Sequence, residues 1–315
     1  MTGHVKIAGV WKEVAQPYAR VGGTWKEVAQ AWTRVGGSWL EWFAAGGVAG
    51  YFSDGRGTTD VYKIAFPSDT LTATTSSPVG LWFHAGFSNV GVAGYFSRGN
   101  ALSEVYKWAF PSDTVSATTS SPLAPDDHAG FQNPGVAGYF SRGRAQPQVL
   151  KWAFPSDTTS STTSAPAGMQ NHAGFENPAV AGYFNRGTTS GVLYSTVYKW
   201  AFPSDTNSTS TSALDLTAYN AGFANPAVAG YFSRGNSNTT VYKWAFPSDT
   251  VSATTSSPLV MGRHAGFSNA AVAGYFARGL NTSGTIYKWA FPSDTTSLAA
   301  TAPQAIENNA GFANA

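Results

Sequence analysis

The sequence predicts an all-β fold, a six-bladed β-propeller that follows a short β-rich segment. The segment YKWAFPSDT, first complete at Tyr106, recurs in identical or nearly identical form six times in the 315 residues. Four of the six repeats are 44 residues long, and blades of four-stranded propellers typically span about 40 to 45 residues. Every repeat is also rich in Gly, Ser, Thr, Pro and aromatic residues, and none shows helical periodicity over about ten residues.

The boundaries of the repeats follow from the motif VAGYF, which occurs once in each copy. The first copy of the motif starts at Val48 and the last at Val272. The six repeats are 47–90, 91–134, 135–178, 179–226, 227–270 and 271–315. Residues 1–46 therefore form a separate N-terminal segment.

Each repeat predicts four short strands, which the second copy illustrates with 92–98, 105–110, 114–121 and 128–133. The strand VYKWAF alternates, so that Tyr106, Trp108 and Phe110 share one face and smaller residues share the other. We expect this bulky face to pack on the small-residue face of a neighbouring blade. The PSDT sequence after the strand predicts a type I turn, because Pro fixes φ and Asp caps backbone N–H groups.

The order of the strands predicts how the ring closes. If the HAGF strand is innermost, each repeat supplies three strands of one blade and the innermost strand of the next. The last strand, 309–315, then completes the blade that begins at Val48 and leaves no open edge.

The N-terminal segment has its own period of 14 residues, with Gly9, Gly23 and Gly37 in register. The units GVWKEVAQPYARV and GTWKEVAQAWTRV predict about three hairpins, with turns at 22–23 and 36–37. Such hairpins are too small to form a core alone. We expect an attachment or oligomerisation segment; an appendage that covers one propeller surface is the alternative.

Composition excludes several classes of function. A net charge of +2 with 11% charged residues provides no basic field for nucleic acid. The absence of Cys removes thiolate chemistry and Cys-based metal sites, and no motif indicates a cofactor. Neither a signal-peptide core nor a run of about 18 apolar residues occurs. We therefore expect synthesis in a cytoplasm and no membrane insertion.

The motifs resemble those of known repeat proteins. The sequence from HAGFxNP through the aromatic and VYxW-type strands resembles the kelch-type propeller repeat over 47–315, although Arg-Gly stands where kelch repeats have a double Gly. The combination of GVAGYF, FPSDT, SSPL and AGFxN is similar to tandem repeats in structural proteins of tailed phages, particularly marine ones of the cyanophage type. The WKEV and RVGG units of residues 1–46 also resemble segments of phage virion and tail-fibre proteins.

Several polar residues recur with the repeat and are therefore expected to be structural. Lys107 and Asp113 represent one Lys and one Asp per repeat, for which we expect ion pairs between blades and turn caps; a ring that binds an ion is the alternative. Arg98 represents five Arg residues that bind backbone carbonyls of a neighbouring blade or an anion in the channel. His128 represents four His residues whose position is taken by Asn220 and Asn309 in the other repeats, which favours hydrogen bonding over a metal site.

No catalytic signature is present. The sequence lacks a P-loop, GxSxG and HExxH, and SDGRGTT at Ser53 has neither the spacing nor the Trp of a sialidase Asp box. A propeller glycosidase or lyase would need an acidic pair or a His-Tyr cluster in an axial pocket. A channel mouth formed only by residues that repeat in every blade would exclude that enzyme.

Binding residues are expected where the repeats differ. The loops after VAGYF and before HAGF vary in sequence and are predicted to emerge on one face, whereas the FPSDT and NP turns are constant and emerge on the other. Aromatic and charged side chains are the usual anchors of a binding surface. The candidates are Trp82, Phe83, Asp126, Asp127, Arg144, Tyr194, Tyr219, Met261 and Arg263.

Together these patterns predict a non-enzymatic component of a phage virion, on the tail or capsid surface. Residues 1–46 would attach it to other virion proteins or form a homo-oligomer. The variable face would bind a host-surface glycan, a host protein or another virion protein, as in a tail fibre. A purely structural or decoration protein is the alternative, and neutral drift of the loops would then explain their variation.

Overall fold

The computed structural model describes the backbone of residues 4–7, 10–13, 18–21, 24–27, 30–35 and 38–44, and the backbone and side chains of 49–279 and 284–314. Within these ranges every regular element is a β-strand, so the all-β prediction is confirmed. None of the described residues belongs to a helix that could cross a membrane. The chain divides into two compact units, Met1–Val48 and Ala49–Ala315.

The described residues of the first unit form six strands that pair as three antiparallel hairpins, as its 14-residue period predicts. They are formed by β1 (His4–Ile7) with β2 (Val10–Glu13), β3 (Tyr18–Val21) with β4 (Thr24–Glu27), and β5 (Gln30–Val35) with β6 (Ser38–Ala44). The predicted turns at 22–23 and 36–37 lie outside the described residues.

The second unit is a propeller of six four-stranded antiparallel sheets, which we number as blades 1 to 6 in chain order. Blades 1 to 3 contain β7 (Ala49–Ser53), β8 (Val61–Ala65) and β9 (Thr70–Ala73); β10 (Gly86–Asn89), β11 (Ala93–Gly99), β12 (Leu102–Ala109) and β13 (Thr114–Ala117); and β14 (Gly130–Asn133), β15 (Ala137–Ser141), β16 (Val149–Ala153) and β17 (Thr158–Ser161).

Blades 4 to 6 have the same order of strands. They contain β18 (Gly174–Asn177), β19 (Ala181–Asn185), β22 (Val197–Ala201) and β23 (Thr206–Thr209); β24 (Gly222–Asn225), β25 (Ala229–Ser233), β26 (Val241–Ala245) and β27 (Thr250–Ala253); and β28 (Gly266–Asn269), β29 (Ala273–Ala277), β30 (Thr285–Ala290) and β31 (Thr295–Thr301). A small hairpin, β20 (Thr188–Thr189) with β21 (Val192–Leu193), extends the loop of blade 4. The final strand is β32 (Gly311–Asn314).

The last strand closes the ring. β32 pairs antiparallel with β7, with Gly311 opposite Phe52 and Asn314 opposite Ala49, and becomes the innermost strand of blade 1. The chain terminus thereby satisfies the backbone hydrogen bonds of the first blade. The predicted six-bladed closure is confirmed.

The core lies between the blades. Between blades 2 and 3, the ring of Phe87 stacks on Tyr95 at 5.1 Å and on Phe140 at 5.9 Å. The ring of Trp152 packs against Tyr95 at 6.0 Å and against Phe140 at 6.4 Å. A β-carbon on Gly138 would overlap the ring of Phe87, so the glycine makes room for the ring. The predicted contact of a bulky face with a small face is found in part: Trp152 of blade 3 lies in one cluster with Ala93 and Val105 of blade 2, but aromatic residues of blade 2 belong to that cluster as well.

The FPSDT segment forms a turn that differs from the predicted type I turn. In blade 2 the N–H of Asp113 donates to the carbonyl of Ala109 at 2.9 Å, which closes a five-residue turn, and the bond between Phe110 and Pro111 is cis. Asp113 has φ +54°, a left-handed conformation that Asp tolerates better than most residues. The same turn recurs in all six blades.

The up-and-down connections give the propeller two different faces. We call the side with the FPSDT and NP turns the constant face, and the side with the loops after VAGYF and the crossovers between blades the variable face. An antiparallel bridge between Gln146 and Met169 shows that a loop and the following crossover lie together on the variable face. The first residue of β7, Ala49, pairs with Ala65 beside the FPSDT turn and so lies at the constant face.

Candidate functional site

The six innermost strands surround a central channel. Just before each of these strands lies one residue of a set that we call the His/Asn ring. All six line the same cavity, and they are His84, His128, His172, Asn220, His264 and Asn309.

The histidines of the ring bond to serines of the preceding blade. Nε2 of His128 lies 2.5 Å from Oγ of Ser97, and the equivalent distance from His172 to Ser141 is 2.7 Å. Nδ1 of His128 lies 2.9 Å from the carbonyl oxygen of Phe83. Because a carbonyl only accepts, Nδ1 carries the proton and Nε2 accepts from the serine hydroxyl.

The two asparagines occupy the places where the serine is missing. The position of Ser97 is held by Asn185 opposite Asn220, and by Ala277 opposite Asn309. Asn185 uses its own amide to bind the backbone N–H of Ala173 and the hydroxyl of Thr217. The exchange of His for Asn thus follows the loss of the serine partner.

Burial makes the histidines of the ring neutral. Removal from water lowers the pKa of His84, His128, His172 and His264 to about 3. No cluster of three His, Cys, Asp or Glu residues suited to a metal ion occurs in the described part of the chain. The ring therefore provides neutral hydrogen-bonding groups.

A second ring lies directly outside the first, at the variable face. We call it the mouth ring; its members immediately precede the His/Asn ring in sequence and line the open end of the channel. They are Phe83, Asp127, Asn171, Tyr219, Arg263 and Asn308.

All six residues of the mouth ring have a left-handed backbone, with φ between +46° and +53°. Asn and Asp adopt this conformation readily, but Phe83, Tyr219 and Arg263 do so at a cost of about 1 kcal/mol or more each.

Backbone hydrogen bonds link the mouth ring from blade to blade. The N–H of Asn171 donates to the carbonyl of Asp127 at 3.0 Å, and the N–H of Tyr219 donates to the carbonyl of Asn171 at 2.7 Å. Bonds from Arg263 to Tyr219 and from Asn308 to Arg263 continue the chain at 2.8 and 2.9 Å. Because backbone atoms build this ring, the side chains can differ.

The side chains at the mouth are positioned by polar contacts. Oδ2 of Asp127 accepts a hydrogen bond from Gln170 at 2.8 Å, and burial raises the pKa of Asp127 above its usual range. The guanidinium of Arg263 donates to Glu307 at 2.7 Å and lies 5.5 Å from the ring centre of Tyr219. The mouth therefore combines aromatic rings, amides, one carboxylate and one paired guanidinium.

Four of the nine candidates from the sequence lie in the mouth ring, namely Phe83, Asp127, Tyr219 and Arg263. Trp82 lies next to this ring and packs over Gly57, with 37% of its surface exposed. Asp126 and Arg144 form a 3.8 Å ion pair and do not line the channel cavities.

Two further candidates are placed away from the mouth. Tyr194 contacts the guanidinium of Arg186, whose central carbon lies 3.4 Å from the ring centre. Met261 has no exposed surface, because it lies in the core between blades 5 and 6. The choice of Met261 as a binding residue was wrong, since it offers no atom to a ligand at the surface.

The recurring arginines lie away from the channel. Arg186 and Arg278 donate to the crossover carbonyls of Gly168 and Val260, as expected for contacts between blades. Arg98 instead bonds to Glu104 within its own blade at 2.7 Å. None of the five arginines lines the channel cavities, which removes the anion site that was the alternative for them.

The channel contains one further acid near the constant face. Glu176 on β18 accepts a hydrogen bond from Gln132 at 2.7 Å and lines the second cavity of the channel. Removal from bulk water raises the pKa of Glu176 to about 7, against the opposing effect of the Gln132 bonds. In the other blades this position holds only Ser, Gln or Ala.

Asn171, Asn308 and Glu176 were not predicted from the sequence. The signal for the first two was positional: the last residue of each variable segment before HAGF or NAGF belongs to the mouth ring. The two asparagines were not chosen as candidates because the candidates were chosen mainly among aromatic and charged residues. Glu176 could have been found as the one acid at the variable position of GFxN.

Comparison with known proteins supports the fold alone. No protein-family model matches the chain, and no curated protein matches it. A solved structure titled "Structure of YjhT" is similar with a TM-score of 0.63 and 10% sequence identity, over 80% of this chain and 97% of that chain. At this identity the likeness shows a shared six-bladed propeller architecture.

Proposed function

We propose that this protein is a non-enzymatic virion component of a tailed phage, a tail-fibre or adhesion module that binds through its variable face. The observation that carries the proposal is the mouth ring, where one backbone position repeated in six blades presents five different residue types. A rigid scaffold that displays differing side chains around one concave opening is a common form of binding site.

The rest of the propeller supports a scaffold role. Each of the six repeated lysines pairs with the repeated aspartate of the next blade at 2.6 to 2.8 Å. These contacts form a closed ring, so the repeated polar residues serve the architecture. Specific recognition is then confined to residues that do not repeat.

The assignment to a virion rests on the resemblance of the repeats to those of phage structural proteins. In this proposal residues 1–46 attach the chain to other virion proteins or join copies of it. The variable face contacts a host-surface glycan, a host protein or another virion protein. The protein is made in the host cytoplasm and resides on the tail or capsid surface.

The mouth ring also bears on the enzyme alternative. Its side chains do not repeat, so the condition that would exclude a propeller glycosidase or lyase is not met. The carboxylates nearest the mouth, however, already accept hydrogen bonds, Asp127 from Gln170 and Glu307 from Arg263. The enzyme alternative is therefore decided by the turnover assay below.

The test is a cell-binding assay with the full chain, labelled and incubated with a panel of bacterial strains and with purified phage particles. The mouth variant combines Phe83→Ala, Tyr219→Ala and Arg263→Ala. The control is Val136→Ser, which changes an exposed valine on the constant face. We expect wild type and control to bind cells or virions, and the mouth variant to lose binding.

The alternatives predict different results. A structural or decoration protein would bind virions equally in all three forms and would not bind cells. Turnover of a glycan by the wild type would support the enzyme and contradict the proposal.

A further inference from the structure

The channel mouth has the form of a small ligand site. The mouth ring and the His/Asn ring line a small, open depression at the end of the channel. Small-molecule sites combine apolar walls with a few placed polar groups, and this depression has both. Its small size limits the occupant to one compact group.

Two buried amides at the base of this cavity have no partner. Asn220 and Asn309 are 4% and 7% exposed, line the cavity, and have both amide atoms without a hydrogen bond. A buried polar group without a partner is unfavourable, so a ligand that bonds to it gains affinity. The two residues stand in blades 5 and 1, on either side of His264. Nδ1 of His264, His84 and His172 also lacks a partner, so unpartnered polar atoms surround the channel.

The charges at the mouth favour a neutral ligand. The histidines are neutral above pH 6.5, since burial lowers the pKa of each to about 3. The positive charge of Arg263 is matched by Glu307 at 2.7 Å. Asp127 accepts its hydrogen bond from the neutral amide of Gln170, and the charges of Arg144 and Arg263 act on its carboxylate only from a distance. A carboxylate or phosphate ligand would meet this negative charge in a partly buried place.

The remaining groups match a polyhydroxylated molecule. Phe83 and Tyr219 provide aromatic rings for an apolar C–H face. Asn171, Asn308 and the two unpartnered amides provide both donors and acceptors, which a hydroxyl group satisfies at once because it donates and accepts.

We propose that the channel mouth binds a neutral sugar residue, the terminal unit of a glycan, with Tyr219 against its apolar face and the amides of Asn220 and Asn309 bonded to its hydroxyls. This inference rests on the proposed binding function and names its ligand class.

The experiment measures binding of methyl glycosides to the full chain by calorimetry and saturation-transfer NMR. The probes are the neutral methyl glycosides of glucose, galactose, mannose and N-acetylglucosamine, with glucuronate and glucosamine as charged comparisons. Two variants alter the site: Tyr219→Ala, and the double change Ala277→Ser with Asn309→His. The double change installs the His-Ser pair that four other blades carry, so the fold tolerates it. Tyr194→Ala is the control, because Tyr194 does not line the cavity.

We expect at least one neutral glycoside to bind with a Kd of about 1 mM, and each site variant to weaken it about tenfold. The Tyr194→Ala control keeps its affinity. Binding of glucuronate or glucosamine alone would overturn the inference, as would equal binding of a neutral glycoside by all variants. If no glycoside binds while the chain still binds cells or virions, the sugar inference fails and the proposed function stands; if nothing binds, both fail.

Discussion

The carboxylate of Asp113 accepts a hydrogen bond from the ammonium of Lys63 at 2.7 Å, across the boundary between blades 1 and 2. Its other oxygen accepts from the hydroxyl of Tyr51 at 2.6 Å. Both side chains of the ion pair are largely shielded from solvent. The aspartate therefore joins two strands of the preceding blade to the FPSDT turn of its own.

Asp113→Ala is expected to destabilise the propeller by about 2–3 kcal/mol, because it leaves Lys63 and Tyr51 without their shared acceptor and because Ala fits the left-handed backbone at φ +54° less well than Asp. Ser112→Ala changes the exposed neighbour in the same turn and should shift stability by less than about 0.5 kcal/mol. The measurement is the midpoint of guanidinium unfolding. Equal shifts for the two variants would show that the carboxylate adds nothing to the contact between blades.

The glycine of the Arg-Gly motif is required by both conformation and space. Gly143 has φ +69°, and a β-carbon there would overlap the carbonyl oxygen of Asp126. Gly135 in the same blade has φ +74° and no atom within 4 Å of such a carbon. Gly135→Ala should cost about 1–2 kcal/mol from the backbone alone. Gly143→Ala should cost clearly more in the same unfolding measurement, and equal costs would contradict the overlap.

The fold could be predicted from the sequence because a propeller encodes each blade with the same pattern. Strand phase and closure by the last strand follow from where the repeats start and stop. The partner of each lysine could not be read locally, since Lys63 and Asp113 are 50 positions apart and meet only when blades stack. The FPSDT turn was predicted as type I from residue preferences, but a five-residue turn forms, closed by the N–H of Asp113.

The site was predictable in part. Aromatic and charged residues of the variable segments identified four members of the mouth ring. Met261 was misjudged because the variable segments contain one buried position, two residues before the mouth ring, which Met169 and Ile306 also occupy. Asn171 and Asn308 were missed because their role comes from the left-handed backbone and ring position, and residue type alone does not reveal that.

The His/Asn ring predicts loss of stability in acid. Burial lowers the folded-state pKa of His84 and its equivalents from 6.5 to about 3, so between these values the unfolded chain binds protons that the folded chain does not. Stability therefore falls as the pH drops below 6.5, by up to about 1.4 kcal/mol per pH unit for each histidine. His84→Asn, which introduces the residue found at Asn220, should reduce this slope between pH 7 and pH 5. An unchanged slope would contradict a neutral buried His84.

The pairing of serine with histidine predicts that changes at positions 277 and 309 are coupled in their effect on the free energy of unfolding. Asn309→His alone brings a histidine opposite Ala277, where no hydroxyl is present. Adding Ala277→Ser supplies a hydroxyl that can donate to Nε2 of the new histidine, as Ser97 donates to His128. A double-mutant cycle on unfolding free energies should give a favourable coupling of about 1 kcal/mol, typical of one buried hydrogen bond. Additive effects of the two changes would show that the paired exchange has another origin.

Glu176 predicts a pH dependence of stability that is opposite in sign to that of the buried histidines. Its pKa is raised from 4.5 to about 7 in the folded channel, so the folded chain holds a proton that the unfolded chain releases. The contribution of Glu176 to stability is therefore fully present below pH 4.5 and is lost as the pH rises through 7. Glu176→Gln keeps an amide beside Gln132 and cannot ionise, so its stability relative to wild type should increase from pH 4.5 to pH 8. Glu104→Gln is the control, because it removes an acid of β12 that bonds to Arg98 and does not line the channel cavities. A stability difference between Glu176→Gln and wild type that stays constant with pH would mean that Glu176 titrates alike in the folded and unfolded chain.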